Sequence, residues 1–340
     1  MPSSAVRSAA VSAQLSSGAV GDHPIFNLVS DQANHAIAAM TFSHNKTFVK
    51  PSRSTSISFE FFPPKTGAGA DKLWDTISQL LIWQPKFVSI TCGAGGSAID
   101  GTFAVVRHVR EKIGINVAPH IAISRQSRAR LREALQAYKN LGVRHVVAIR
   151  GDASQTGQEI STDDLYGSTI DFVADLSKNF GLEAIVAAYP DSHPLAPSPQ
   201  HDLDYLRRKA EAGSQRAVSQ FFFDPETFLR FRDRVQKASI NVSLTPGIMP
   251  IHNLAQVLKF AQGCGTLIPS GFASRFERWG LDQAALFNEG VAHASALCDD
   301  LRREGVQDFH FYTLNRSEMT YAICERLGLN RADAAAEASN

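Results

Sequence analysis

The sequence predicts an α/β fold, a single-domain (β/α)8 TIM-type barrel. Three observations carry that prediction. From Ser56 onward, eight β-rich runs alternate with helical patterns. Nearly every strand is followed by a helix, the arrangement of a parallel sheet covered by helices. The alternation fills residues 56–328 without a linker, close to the roughly 250 residues of a closed eight-stranded barrel. No G-x-G-x-x-G follows an early strand, so an open dinucleotide-binding sheet has no support. Residues 1–45 read as a mostly disordered extension, with a short helix around 27–40. Residues 46–330 form the barrel, and 331–340 a polar, frayed tail.

The opening strand runs to Ser58-Phe59-Glu60-Phe61-Phe62 and ends at Pro63-Pro64, which have no ladder donors. Period two puts Ser58, Glu60 and Phe62 on one face, with Ile57, Phe59 and Phe61 on the other. Leu73, Ile77, Leu80 and Leu81 then recur at helical spacing. Phe87–Cys92 is the second strand, Thr102–Ile113 a helix and Val117–Ile123 the third strand. Leu131, Leu135, Tyr138 and Leu141 stripe the next helix, which stops at Gly142. His145–Arg150 is the fourth strand, and a longer loop leads to Tyr166. A helix over 168–180 and a fifth strand, Glu183–Tyr189, follow. Gln200–Ala212 is helical up to Gly213. The sixth strand, Arg216–Phe223, meets Asp224-Pro225, an N-cap with proline at the first helical position. Val242–Ile248 is the seventh strand, broken at Pro246-Gly247. Helices at 252–262 and 281–303, a last strand Phe309–Leu314 and a helix from Ser317 to Leu327 complete the order.

Composition narrows the function. Thirty-four basic and 33 acidic residues leave a net charge of +1, so no global field recruits nucleic acid or an anionic membrane. No apolar run approaches the roughly 18 residues of a membrane span. Cys92, Cys264, Cys298 and Cys324 make neither a C-x-x-C pair nor a zinc spacing, which suits reduced thiols in the cytoplasm. The N-terminus lacks the long apolar core of a secretory signal. The histidines are scattered, so no metal site is expected, and no G-x-S-x-G elbow is present.

In such barrels chemistry collects where strands end. Those ends carry Glu60, Thr91, His120, Arg150-Gly151-Asp152, Tyr189 with His193, Gln220, and Tyr312 with Arg316. Each has a plain structural alternative. Glu60 could be satisfied by a buried arginine, His120 could be a core histidine, and Gln220 could bond backbone. Together at one rim they are harder to explain that way. Burial among aromatics should raise the Glu60 pKa and keep it protonated, as a proton donor needs. Arg207-Arg208-Lys209 could hold a diphosphate or form a solvated face.

The motifs around these residues resemble methylenetetrahydrofolate reductase, in its short bacterial form with the catalytic domain alone. They are Ser58-Phe59-Glu60-Phe61-Phe62-Pro63-Pro64-Lys65, Pro119-His120, His145–Asp152, Ala187-Ala188-Tyr189-Pro190, Gln220–Asp224, Pro246–Pro250 and Phe309–Arg316. The resemblance implies an α/β barrel that holds FAD non-covalently at the strand ends. It implies reduction of 5,10-methylenetetrahydrofolate to 5-methyltetrahydrofolate by NADH or NADPH, with ping-pong turnover, in one-carbon metabolism and methionine biosynthesis. Glu60 then matches the general acid that opens the folate ring to its N5 iminium, and Asp152 the carboxylate beside flavin and pterin. Gln220, Gln256 and Phe260 match the pocket shared by folate and nicotinamide, and Arg316 the cation facing the glutamate tail. Thr91, Ala94, His120, Arg150, Gly151, Tyr166, Tyr189, His193, Asp202, Arg208, Lys209 and Tyr312 fall where the family contacts FAD. Cys92 and Tyr205 depart from the family's tyrosine and asparagine. Two alternatives stay open: a proline-dehydrogenase-like flavin barrel, and a pterin-binding subunit without redox function. A homo-oligomer is compatible with either, and nothing separates NADH from NADPH.

Overall fold

The apolar, β-branched runs that punctuate the chain form strands that hydrogen-bond side by side, all in parallel. The computed structural model describes residues 55–92, 98–124, 126–151 and 164–331, which belong to one unit, Arg53–Asn340. The expected extension over 1–45, its short helix, Ala94, Asp152, most of the loop before Tyr166 and the tail beyond Arg331 lie outside the described residues.

In chain order the elements are β1 (Ser56–Phe61), α1 (Gly67–Leu81), β2 (Val88–Ile90), α2 (Ala98–His108), β3 (Val117–Ala122), α3 (Arg128–Asn140), β4 (His145–Ile149) and α4 (Thr169–Asp175). Then come β5 (Glu183–Ala188), α5 (Pro199–Glu211), β6 (Arg216–Ser219), α6 (Pro225–Lys237), β7 (Ser243–Thr245) and β8 (Gly247–Ile248). The chain closes with α7 (Leu254–Cys264), α8 (Phe272–Glu277), α9 (Gln283–Arg303), β9 (Asp308–Tyr312) and α10 (Glu318–Arg326). Both α2 and α4 end in a single wider, π-type turn, Val109–Ile113 and Leu176–Phe180.

The sheet order is β7-β6-β5-β4-β3-β2-β1-β9-β8, with every pairing parallel. β7 and β8 are one run interrupted at Pro246, which has no N–H to donate. The first half pairs with β6 and the second with β9, while the Pro246 carbonyl accepts from His310 N at 3.0 Å. The seventh strand thus turns from one neighbour to the other, and nine segments make a ring of eight. Gly247 permits this turn. A Cβ there would lie 2.2 Å from the Ser219 carbonyl and 2.5 Å from the Tyr312 ring.

Strand alternation divides the side chains. Ile57, Phe59 and Phe61 enter the large apolar layer between strands and helices. On the interior side Ala118, Val147 and Ile185 form a small apolar plug, flanked by Phe87, Ile149 and Val218. The helices begin where the sequence puts caps: Ser127, Ser168, Ser198, Asp224, Asn253 and Asp282 each accept a first-turn N–H.

Most strand and helix ends differ from expectation by one to three residues, β2 being only Val88–Ile90 and β9 ending at Tyr312; three larger differences stand out. β6 leaves the ladder at Ser219, and Gln220–Phe223 run on as coil; there the Phe221 carbonyl accepts from Thr266 Oγ1 rather than from a strand. α2 begins before Thr102. The six-residue α8 has no signal long enough for periodicity to register.

Candidate active site

β1 lies between β2 and β9, so its inward residues meet side chains from both neighbours and from β3 across the interior. Glu60 is largely buried. Its Oε2 lies 3.3 Å from His120 Nε2 and 3.8 Å from His310 Nε2. The His120 Nε2 is buried and makes no hydrogen bond among the described residues. His310 Nδ1 is 2.7 Å from Ser58 Oγ, and its ring stacks on Phe87 at 5.8 Å.

This corrects the expected state of Glu60. Burial alone would raise its pKa, but the imidazoles of His120 and His310 outweigh burial and hold the carboxyl below its ordinary value. The aromatics beside Glu60 in sequence point to the other face of β1, so the carboxyl sits among imidazoles instead of phenyl rings. Burial pushes His120 down, against the pull of Glu60. The direction for Glu60 is thus toward the carboxylate, opposite to the expectation.

Toward β3–β5 the rim opens into a cavity of about 490 Å³. Arg150, Tyr166, Tyr189, His193, Asp202 and Lys209 all line it, six of the residues expected to contact a flavin. Asp202 accepts from His193 N at 3.0 Å, and Tyr189 meets the His193 ring edge-on at 4.7 Å. Tyr166 donates to Asp175 and lies under the Arg128 guanidinium. Gly151, at φ +80°, leaves no room for a Cβ against Ala122 and Ser124.

Lys209 is the informative cation. It is 6% exposed, its Nζ donates to the Ala187 carbonyl at 2.6 Å, and it forms no ion pair among the described residues. Burial pulls its pKa down to about 8, with Asp202 partly opposing. The expected trio of cations separates, because adjacent helical residues point about 100° apart. Lys209 faces the cavity, Arg207 pairs with Asp204, and Arg208 is exposed and outside the lining.

The other expected residues occupy the β2 end and the β6–β9 side. Thr91 donates from its backbone N–H to Phe61 O at 2.9 Å. Gln220 is half-buried, its Oε1 accepting from Phe221 N. On α7, Gln256 is exposed and Phe260 packs on the cluster of Phe221, Phe223 and Phe272. Arg316 is exposed just after β9. Tyr312 OH donates to Ser219 O at 2.7 Å. Around the ring, Glu60 therefore stands between a cation-bearing cavity and an aromatic, amide-bearing half.

The methylenetetrahydrofolate reductase family model matches residues 46–328. The chain belongs to that family. Among relatives, the 5,10-methylenetetrahydrofolate reductase of Pectobacterium carotovorum is 41% identical over 285 residues, covering 84% of this chain and 94% of the relative. That of Escherichia coli is 42% identical over 287 residues, covering 84% and 95%. The fold also resembles a Clostridium thermocellum protein described as binding two copies of 5-methyl-5,6,7,8-tetrahydrofolic acid. There the TM-score is 0.57 at 14% identity, over 82% of this chain and 96% of that one. Methylenetetrahydrofolate reductase membership sets aside the proline-dehydrogenase-like alternative.

Sequence reasoning singled out neither His310 nor Ser58 as a site residue. Alternation along β9 was the available signal: Asp308, His310 and Tyr312 share one face, the face of a residue already suspected. No group of metal-ligating side chains forms among the described residues, and no described helix is long and apolar enough to cross a membrane.

Proposed function

We propose that the protein reduces 5,10-methylenetetrahydrofolate to 5-methyltetrahydrofolate in the cytoplasm, with NADH or NADPH as reductant and FAD as a bound carrier, in ping-pong turnover. The observation that carries the reading is Glu60 held between His120 and His310 at the strand ends, in a barrel that also has a cavity lined by a buried cation, Lys209.

The cavity suits FAD: a buried, unpaired Lys209 calls for an anion such as a diphosphate, and Tyr189 and Tyr205 offer rings for stacking. Lys209, Arg150, Tyr166, Tyr189, His193 and Asp202 would hold the group, with Thr91, Gly151 and Tyr312 around its reactive end and Arg208 at its outer edge. Bound FAD supplies hydride transfer between nicotinamide and folate. Gln220, Gln256 and Phe260 orient the two substrates in turn, and Arg316 receives the folate carboxylates. Glu60 delivers the proton that folate ring opening needs at N10, a contribution of roughly 10²–10⁴-fold. The imidazoles favour the ionised form of Glu60 in the open site; exclusion of water by stacked rings favours its protonated form on the substrate. Asp152 and Ala94 are assigned by resemblance alone. The match over 46–328 supports 46–330 as the catalytic unit.

Glu60→Gln is the test. It should slow the folate half-reaction at least about 100-fold more than the nicotinamide half-reaction, read by flavin absorbance in anaerobic stopped flow. Comparable losses in both would refute Glu60 as the folate-specific acid.

A further inference from the structure

A carboxylate that gives its proton to the substrate must recover one in every turnover, and stacked ligands close the rim above it. The far side of the barrel offers another way in. At the N-terminal ends of the strands lies a cavity of about 270 Å³, lined by Ser56, Ser58, Lys86, Arg216, Thr245 and Asp308 among others. Ser58 belongs both to this lining and to the active site, because its Oγ is 2.7 Å from His310 Nδ1. On the opposite side of the ring, His310 Nε2 points toward Glu60 Oε2 at 3.8 Å and lies 3.5 Å from Ser89 Oγ. Phe87 stacks on His310 and on His145, which places apolar surface beside this line of polar atoms.

We propose that Ser58 and His310 form a proton route from the N-terminal cavity to Glu60. After Glu60 has given its proton to the leaving nitrogen of the folate, His310 transfers the Nε2 proton to the carboxylate. Its Nδ1 takes a proton from the Ser58 hydroxyl, which is replaced from solvent in the cavity. One solvent proton enters and one reaches the substrate; His310 is left with its proton on Nδ1, and exchange back to the Nε2–H tautomer resets the route before the next turnover. The transfer needs His310 and Glu60 to close from 3.8 Å to hydrogen-bond distance, a shift within the reach of a glutamate side chain.

The groups that face the route can be named among the described residues. Glu60 meets His120 from β3 and Tyr312 from β9. His310 meets Ser58 from β1 and Phe87 and Ser89 from β2. Lys86, Arg216 and Asp308 surround the entry, with Lys86 and Ser56 both paired to Asp308. His120, with its Nε2 3.3 Å from Glu60, is close enough to share the proton at the upper end. His310 has a hydrogen-bonded partner on its far side, Ser58.

The inference rests on Glu60 being the acid, and the experiment separates the two. In the flavin-loaded enzyme, Ser58→Ala should slow the folate half-reaction about ten-fold more than the nicotinamide half-reaction. The solvent deuterium isotope effect on the folate step should rise, its pH profile should shift, and Ser58→Thr should restore both. In the ligand-free protein, ¹⁵N NMR of histidine should find a proton on His310 Nε2. Equal slowing of both half-reactions with an unchanged isotope effect, or a bare Nε2 on His310, would overturn the route. Normal folate reduction by Glu60→Gln would overturn the acid and the route together. A large Glu60→Gln defect beside wild-type kinetics in Ser58→Ala would overturn the route alone.

Discussion

Lys209 is the residue at which structure converts most directly into a number. The residue is 6% exposed, its ammonium is bonded to one backbone carbonyl, and burial lowers its pKa from 10.5 to about 8. At 1.36 kcal/mol per pH unit, keeping the charge inside costs the folded state about 3 kcal/mol. Lys209→Met removes that penalty and keeps most of the volume, but loses a charge-assisted hydrogen bond of about 1.5 kcal/mol. The ligand-free variant should therefore be more stable by about 1.5 kcal/mol, a rise in Tm of about 3–6 °C. FAD should bind it about 10–100-fold more weakly. The sign of the pH dependence follows from the lowered pKa. Below pH 8 both states carry the proton and wild type bears the full penalty. Between 8 and 10.5 the folded state releases it first, so wild-type stability gains on the variant as pH rises. Thermal unfolding of flavin-stripped protein at pH 7, 8, 9 and 10 measures the difference between the two. A variant that melts below wild type, or a gap that does not narrow across this series, would refute the view that a cation is held here at a cost for an anionic ligand.

Two further substitutions probe the closure of the ring and the substrate end. Gly247→Ala places a Cβ 2.2 Å from the Ser219 carbonyl, a backbone atom with little room to yield. It should lower stability by at least about 3 kcal/mol and Tm by more than about 6 °C, seen in a thermal melt of the purified variant. Arg316→Ala should raise the Kd for the folate about ten-fold and that for the nicotinamide far less; equal weakening by titration would make Arg316 a structural residue.

Much was legible before any coordinates, for local reasons. Pro63-Pro64 ends β1 because proline cannot donate to a ladder. Asp224-Pro225 starts α6 because one residue accepts an orphan N–H and the next has none to orphan. Glu60, His120 and Tyr312 could be assigned to the rim because strand ends face it in this architecture. The break at Pro246-Gly247 was also visible. Its consequence was not, since only the pairing partners reveal that the two halves bond different neighbours.

The sequence by itself determined the alternation of strands and helices, the caps, the family and the residues at the rim, because each follows from chemistry within a few positions. Tertiary structure alone decided which way the Glu60 pKa moves, the separation of Lys209 from Arg207 and Arg208, and the place of Ser58 and His310. Those depend on groups as far apart in the chain as Ser58 and His310, 252 residues distant. Desolvation and Coulomb energies are set by what lies within a few ångströms in space, and the chain's order does not contain that distance.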